Sequence, residues 1–487
     1  MKPKISRLLF TAPIFLSLLS HATAADVTKL DNLDNLNLGT SWALGTAPGT
    51  GDVAVWDASV TGASSTLLGS NLSWKGIKIQ NPAGPVTLAA GNTLTLGASG
   101  IDMSAATQDL TINAGISLLN GSGTQAWNVA TGRTLTLAAL PSKVSGTTSV
   151  LQFSTSGAIK IGSGTQNLLT DPQNNAYATY GLNDWAGLSA GNVVASNYTA
   201  ASTAITANVI NDIQGNITTA LATTTFVNAL RFNSATAYNV DLATGGSGAA
   251  RTLTAGGILV TANSGGGSIG GNGNAFSSIR ANRSSGGDAN PLNIIQNSSS
   301  NFTIRANITN ASSSSTRVVK SGSGLLILTG ANSNTGGITI NEGTIQLGNG
   351  GTIGTISATG AIVNNGSFVI NRSDAVSIGN IISGTGSLTH AGSNTLTLAG
   401  LNTYSGATHL NAGIVAFNAA TNLGSGGQVN FDGGALQYGV GHTTDISSRG
   451  VSINAGGGAI NTNGNNVAFA NSIGNGGAGG LTKNGLG

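Results

Sequence analysis

Short apolar pairs, two residues apart, recur along most of this chain. From Val86 onward, PVTLAAGNTLTL, DLTINAGISLL and GRTLTLAAL alternate apolar with polar residues and break at Gly or Asn. A period of two places one set of side chains on a single face of a strand. The string TLTL stands at 93–96, 134–137 and 395–398. The pattern is sharpest at 325–347, which reads LLILTGANSNTGGITINEGTIQL. It returns seventy residues later, without a gap, as TLTLAGLNTYSGATHLNAGIVAF at 395–417. Leu326 falls on Leu396, Leu328 on Leu398, Gly330 on Gly400 and Asn332 on Asn402; Gly336 falls on Gly406, Asn341 on Asn411 and Gly343 on Gly413.

A gap-free internal repeat marks a unit that cannot bury its own apolar face and must stack on its neighbours. The Gly- and Asn-rich tracts between the apolar pairs tolerate the positive φ of tight corners. The expected fold is therefore all-β, a β-solenoid. Three short strands are expected to make one rung of roughly 20–25 residues, and seventy residues about three rungs. About 20 rungs at ~4.8 Å would give a single rod near 95 Å. A β-sandwich would need longer strands and does not predict such a repeat.

The departures from the pattern divide the chain. Residues 25–85 hold Trp42, Trp56 and Trp74 with Pro48, Pro82 and Pro85, and read as an irregular N-terminal cap over an open sheet edge. A carbohydrate-stacking Trp platform is the sharper alternative. Residues 86–317 read as a degenerate solenoid. Within it, 165–202 lose the alternation and carry Tyr177, Tyr180, Trp185 and Tyr198. That excursion is a candidate binding surface, since loops thrown from a regular scaffold carry function; a packed decoration is the plainer reading. Ile205, Val209, Ile213, Ile217 and Leu221 recur every four residues, but Gly215 and the Thr-rich TTALATTT favour strand over helix. Residues 318–487 contain the two clear repeats. The lead-in Lys320-Ser321-Gly322-Ser323-Gly324 recurs as Lys483-Asn484-Gly485-Leu486-Gly487, where another apolar strand is due. A truncated next repeat at 481–487, and so a longer product, is the expectation.

The two repeats with their lead-in, about 318–348 and 388–418, resemble the autotransporter-associated β-strand repeat of bacterial passenger proteins. That repeat runs G-x-L-x-L-x-G-x-N-x-Y-x-G, then a Thr/Val strand, then N-x-G-x-L. The second copy has Tyr404 at the aromatic position; the first has Asn334. The resemblance implies a right-handed β-helix passenger that is exported and shown on, or released from, the cell surface. The outer-membrane barrel of that family would lie in a longer product, because no run of ~10-residue amphipathic strands with aromatic girdles occurs in this sequence.

The first residues point to export as well. Lys2, Lys4 and Arg7 precede an apolar core at 8–19 and the A-x-A triplet Ala22-Thr23-Ala24, so residues 1–24 read as a secretory signal peptide cleaved between Ala24 and Ala25. About twelve apolar residues cannot span ~30 Å of hydrocarbon. Three of the 19 Lys and Arg lie in this leader and none of the 16 Asp and Glu do, so the remainder is formally neutral. No basic patch marks a nucleic-acid partner. With no Cys, thiol chemistry and Cys-type metal sites are excluded, and the exported chain does without disulfides.

Candidate chemistry is thin. G-x-S-x-G occurs at 266–270, overlapping a G-x-G-x-x-G from Gly265, but outside a strand–turn–helix context. His390 stands where the first copy has Lys320 and His409 where it has Thr339, which reads as solvated repeat positions; His442 lacks an evident partner. Asp102 with Asp109, and Asp432 with Asp445, are the carboxylate pairs that could serve glycoside chemistry. GGNGNAF at 270–276 has Ala275 where a Ca²⁺ β-roll needs Asp. No catalytic residue, cofactor or metal is expected. The leading expectation is a structural passenger, a stalk or an aid to its own secretion. Next comes a surface adhesin meeting an extracellular glycan or a neighbouring cell, and third a polysaccharide-degrading enzyme.

Overall fold

The structure is a computed structural model that describes residues 25–121, 123–143, 148–219, 221–242, 250–270, 277–282, 289–311, 314–474 and 478–487. The leader at 1–24, including Ala24, and the tract 271–276 lie outside the described residues; Ala25 is the first of them. Among the described residues there is no α-helix, and three short 3₁₀ turns are the only helical elements. The rest is short strands stacked in parallel register, an all-β solenoid of about 18 turns. The stretch 205–221 forms a strand at Ile210–Ile213, as expected.

The turns form two columns. In the first, one wall runs in parallel pairing from Asp26–Thr28 through Val53–Trp56, Leu72–Ile79, Thr93–Met103, Thr124–Val129 and Val150–Phe153 to Ala178–Tyr180. The facing wall runs from Ser64–Thr66 to Ala158–Ile161. An antiparallel hairpin, Asp184–Ser189 and Asn192–Ala195, then pairs with the last strand of each wall and closes the column end. Among the described residues no strand pairing carries the ladder onward; a new one starts at Thr199–Ala201. The second column has a nine-stranded wall, a ten-stranded wall and two shorter sheets of four and six strands. Its longest ladder, ten strands, spans nine spacings of ~4.8 Å, about 43 Å. The single rod near 95 Å is therefore corrected: the hairpin breaks the stack, and the second column begins beside the first.

The N-terminal cap is shorter than its composition implies. Val53–Trp56 already pairs in parallel register with 76–79, so the irregular part is 29–52. Trp42, Trp56 and Trp74 are fully buried, and Trp42 meets each of the other two edge to face with centroids 5.7 Å apart. They plug the mouth of the column, and no ring is open for sugar stacking.

The repeat works differently from its expected three-strand rung. Leu326 pairs with Ile345, and that line continues through Phe368 and Leu388 to Thr408. The first and third strands of the unit thus lie on one wall, a rung apart. Leu396 sits on another wall, between Val376 and Val415. Three steps of the line take 62 residues and four take 82, so a seventy-residue repeat falls between rungs and the second copy is turned onto a different wall. Leu326, Ile338 and Ile345 all line the shared interior, as the alternation predicts.

The polar repeat residues tie rungs together. Asn332 Oδ1 accepts from the Ile308 N–H and its Nδ2 donates to the Thr355 carbonyl, 2.9 Å each. Asn402 repeats this with Ile382 at 2.9 Å and Asn422 at 2.6 Å. A Cβ on Gly330, Gly400, Gly336 or Gly406 would strike a neighbouring-rung carbonyl oxygen at 2.2–2.5 Å, so backbone packs on backbone there. Tyr404 is buried with its hydroxyl 2.6 Å from Thr408 Oγ1; in the first copy Asn334 fills the corner, donating to Thr316 O and Gly337 O. Asn341 donates to Ser321 Oγ at 3.0 Å, and the Asn411 N–H bonds the His390 carbonyl at 2.9 Å.

Candidate functional site

Strand composition decides where the columns meet. On the ten-stranded wall, Leu325–Leu328, Thr344–Leu347 and Ser367–Ile370 alternate buried and half-exposed residues, so one face meets solvent. Several strands of the nine-stranded wall do not alternate, although Ile362–Asn364 further along it does. Ile210–Ile213, Ile258–Val260 and Asn290–Gln296 are buried at every position. Burial of successive residues, polar ones included, marks strands covered on both faces. The outward residues Ile210, Ala229, Leu259 and Ile295 pack against Val150, Leu168, Ala176 and Trp185 of the first column as a separate apolar cluster. The first column is docked on the side of the second.

The aromatic excursion is this joint. Trp185 is buried on the hairpin, and its indole N–H donates to the Leu230 carbonyl at 3.1 Å across the seam. Tyr177 is buried beside Lys143, whose ammonium lies 4.9 Å from the ring centre. Burial pushes the Tyr177 hydroxyl up and the Lys143 ammonium down to about 8. Tyr198 is half-buried, with its ring 3.6 Å from the Arg231 guanidinium and its hydroxyl accepting from the Trp185 N–H at 2.8 Å. Tyr180 is half-buried against the first core. Of these four residues of the candidate binding surface, Trp185 and Tyr177 face inward and offer no ring to a ligand.

Arg231 pins the seam. It bonds Asp212 of its own column at 2.8 and 2.9 Å and Asp184 of the hairpin at 2.5 Å. Among the described residues four side-chain amides also cross: Asn282 to Asn174 O, Asn293 to Ala176 O, Asn297 to Leu182 O and Asn341 to Thr148 O. Sequence reading missed these residues. Their one visible mark is the loss of alternation in GGILVTA and NPLNIIQ.

Above the seam lies a half-open cleft of about 570 Å³, within the range of small-ligand sites. Gln166, Asn167, Thr170, Gln173 and Asn174 line it from the first column, and Asn208, Phe226, Asn228 and Asn282 from the second. Among the described residues, seven of the eleven that line it are Asn or Gln, and none is charged. Phe226 stands in it 45% exposed.

The residues weighed for catalysis have structural partners. Ser268 is buried on a strand and its hydroxyl donates to Asn239 Oδ1 at 2.6 Å. His390 is buried, correcting its reading as a solvated position: Nε2 is 2.9 Å from the Asn394 carbonyl. His409 lies 3.3 Å from the Asn430 amide, and His442 bonds Thr444 at 2.7 Å. Asp102 caps Ser104, Asp109 faces Arg133 at 3.8 Å, Asp432 caps Gly456, and Asp445 caps Ser447 and Ala470. Among the described residues no group of three or more His, Cys, Asp or Glu could hold a metal ion, and no helix is long and apolar enough to cross a membrane.

The rung geometry of 318–347 and its later copy agrees with what sequence comparison finds. Residues 318–347 and 384–417 match the passenger-associated-transport-repeat family. The chain thus carries two passenger-associated repeats. The repeat protein is also similar, at 38% identity over 84 residues, to an adhesin described as the BmaC autotransporter of Brucella suis biovar 1 (strain 1330). That match covers 17% of this chain and 2% of the adhesin, so the repeat protein spans a small part of its relative. No solved structure matches it.

Proposed function

We propose that this chain is a non-catalytic passenger segment, exported and displayed on the cell surface, whose two docked columns form a stiff presenting body. The observation that carries this reading is the rung itself: each turn takes its hydrogen-bond partners from the turn before it. Such a chain can order progressively as it emerges, since solenoid stability is a sum of neighbour terms. The passenger-associated repeats and the adhesin likeness support surface display. In the native cell, antibody raised against purified 25–487 should label intact cells, and added protease should remove the label. Label seen only after the envelope is opened contradicts display. The same protein should release no reducing ends from plant or bacterial polysaccharides; turnover would restore the lyase or hydrolase alternative.

A second reading, a surface adhesin, is favoured by the similarity to the Brucella adhesin. Beads coated with 25–487 should then adhere to animal or neighbouring bacterial cells above beads coated with an unrelated solenoid.

A further inference from the structure

We propose that the cleft at the column joint binds a neutral oligosaccharide. Among the described residues its lining carries no charge to set against a phosphate, a uronate or a cation. It is rich in primary amides, each presenting a donor and an acceptor side by side. That pairing matches adjacent sugar hydroxyls, which also both give and accept. Asn167 and Asn282 are engaged with Asn197 and Asn174, but the side chains of Gln166, Asn208 and Asn228 make no hydrogen bond among the described residues. Phe226, exposed on the cleft wall, supplies a flat apolar face for the C–H side of a pyranose ring.

An extended peptide fits less well. Phe226 lies on the strand Thr224–Val227 at the edge of a four-stranded sheet, where a peptide could add as a further strand. That edge is already covered: the Asn208 N–H bonds the Phe226 carbonyl at 2.9 Å and the Asn228 N–H bonds the Val209 carbonyl at 3.0 Å. The volume, near 570 Å³, has room for a short oligosaccharide. Because both columns contribute residues, the cleft exists only while they are docked.

The test is made in solution on 25–487, so its result does not depend on surface display. Saturation-transfer NMR is run with neutral gluco-, galacto- and manno-tetrasaccharides, a tetragalacturonate and an uncharged Ser/Gly peptide. At least one neutral tetrasaccharide should bind with Kd on the order of 1 mM or tighter. Phe226→Ala and Asn228→Ala should each weaken that binding about tenfold, while Phe226→Trp keeps it. All three variants replace exposed side chains, and an unchanged melting temperature checks that they fold. Absence of binding by every neutral sugar, binding indifferent to Phe226→Ala, or preference for the galacturonate or the peptide would overturn the proposal.

Discussion

Lys320 and His390 occupy one position of the repeat and play the same part there. Each sits inside the core and binds corner carbonyls. The Lys320 ammonium donates to Ser321 O, Gly322 O and Glu342 O at 3.0, 2.5 and 3.2 Å, and His390 Nε2 meets Asn394 O. The repeat glycines answer them. Gly343 and Gly413 have φ of +69° and +52°, and a Cβ on either would come within 2.8 Å of Lys320 Nζ or 2.9 Å of His390 Nε2. Removing the donor leaves buried carbonyls unpaired, so Lys320→Ala should cost about 2–4 kcal/mol, and Lys320→His, the second copy's own solution, should cost less. Burial lowers the Lys320 ammonium to about 7 from its ordinary 10.5. Between those values the unfolded chain holds more protons, so stability should rise as pH climbs from 7 toward 10 and stay flat below 7 as far as this group is concerned. Urea midpoints measured across that range should show a smaller rise in Lys320→Met than in the parent chain; an equal rise would remove Lys320 as its source.

Among the elements, the two outer faces of the second column predict opposite tolerances. Ile295 points out from the nine-stranded wall into the joint, and Val369 points out from the ten-stranded wall toward solvent. Ile295→Lys should bury an unpaired charge at a cost of several kcal/mol and open the seam, with faster amide exchange at 176–188 and 255–260. Val369→Lys should be silent. Equal effects would contradict lateral docking. The hairpin that ends the first column was hidden in the sequence because its two-residue turn is Ala190-Gly191, with Ala190 at φ 46° in place of the usual Asn or Asp. Alternation by contrast was plain: Leu326, Leu328, Ile345 and Leu347 all point inward as their spacing requires. The aromatic residues of 165–202 were conspicuous for their composition, but composition does not say whether a ring faces water or a second wall. Lys320 and His390 misled in the same way, since polar residues at a repeat position read as solvated until the corner carbonyls are in place.

At the scale of the molecule, the solenoid was legible and its division into two columns was not. Stacking is local and leaves a period in the sequence; docking of one column on another is set by a few outward residues far apart in the chain. Those contacts make Trp185, Arg231 and the amide-lined cleft parts of one joint. The chain has no Cys, which gives a clean background for testing it. A Cβ built on Gly123 of the first column lies 3.9 Å from the Asn341 Cβ of the second, inside the range a disulfide needs. The left-handed φ of Gly123 costs a cysteine there about 1–2 kcal/mol. In one continuous rod the same two residues would stand roughly nine rungs, about 43 Å, apart. The most direct measurement is therefore mild oxidation of the double variant Gly123→Cys/Asn341→Cys, read by non-reducing electrophoresis. Two docked columns predict a fast-migrating, intramolecularly linked monomer in high yield; free thiols or only intermolecular dimers would contradict them.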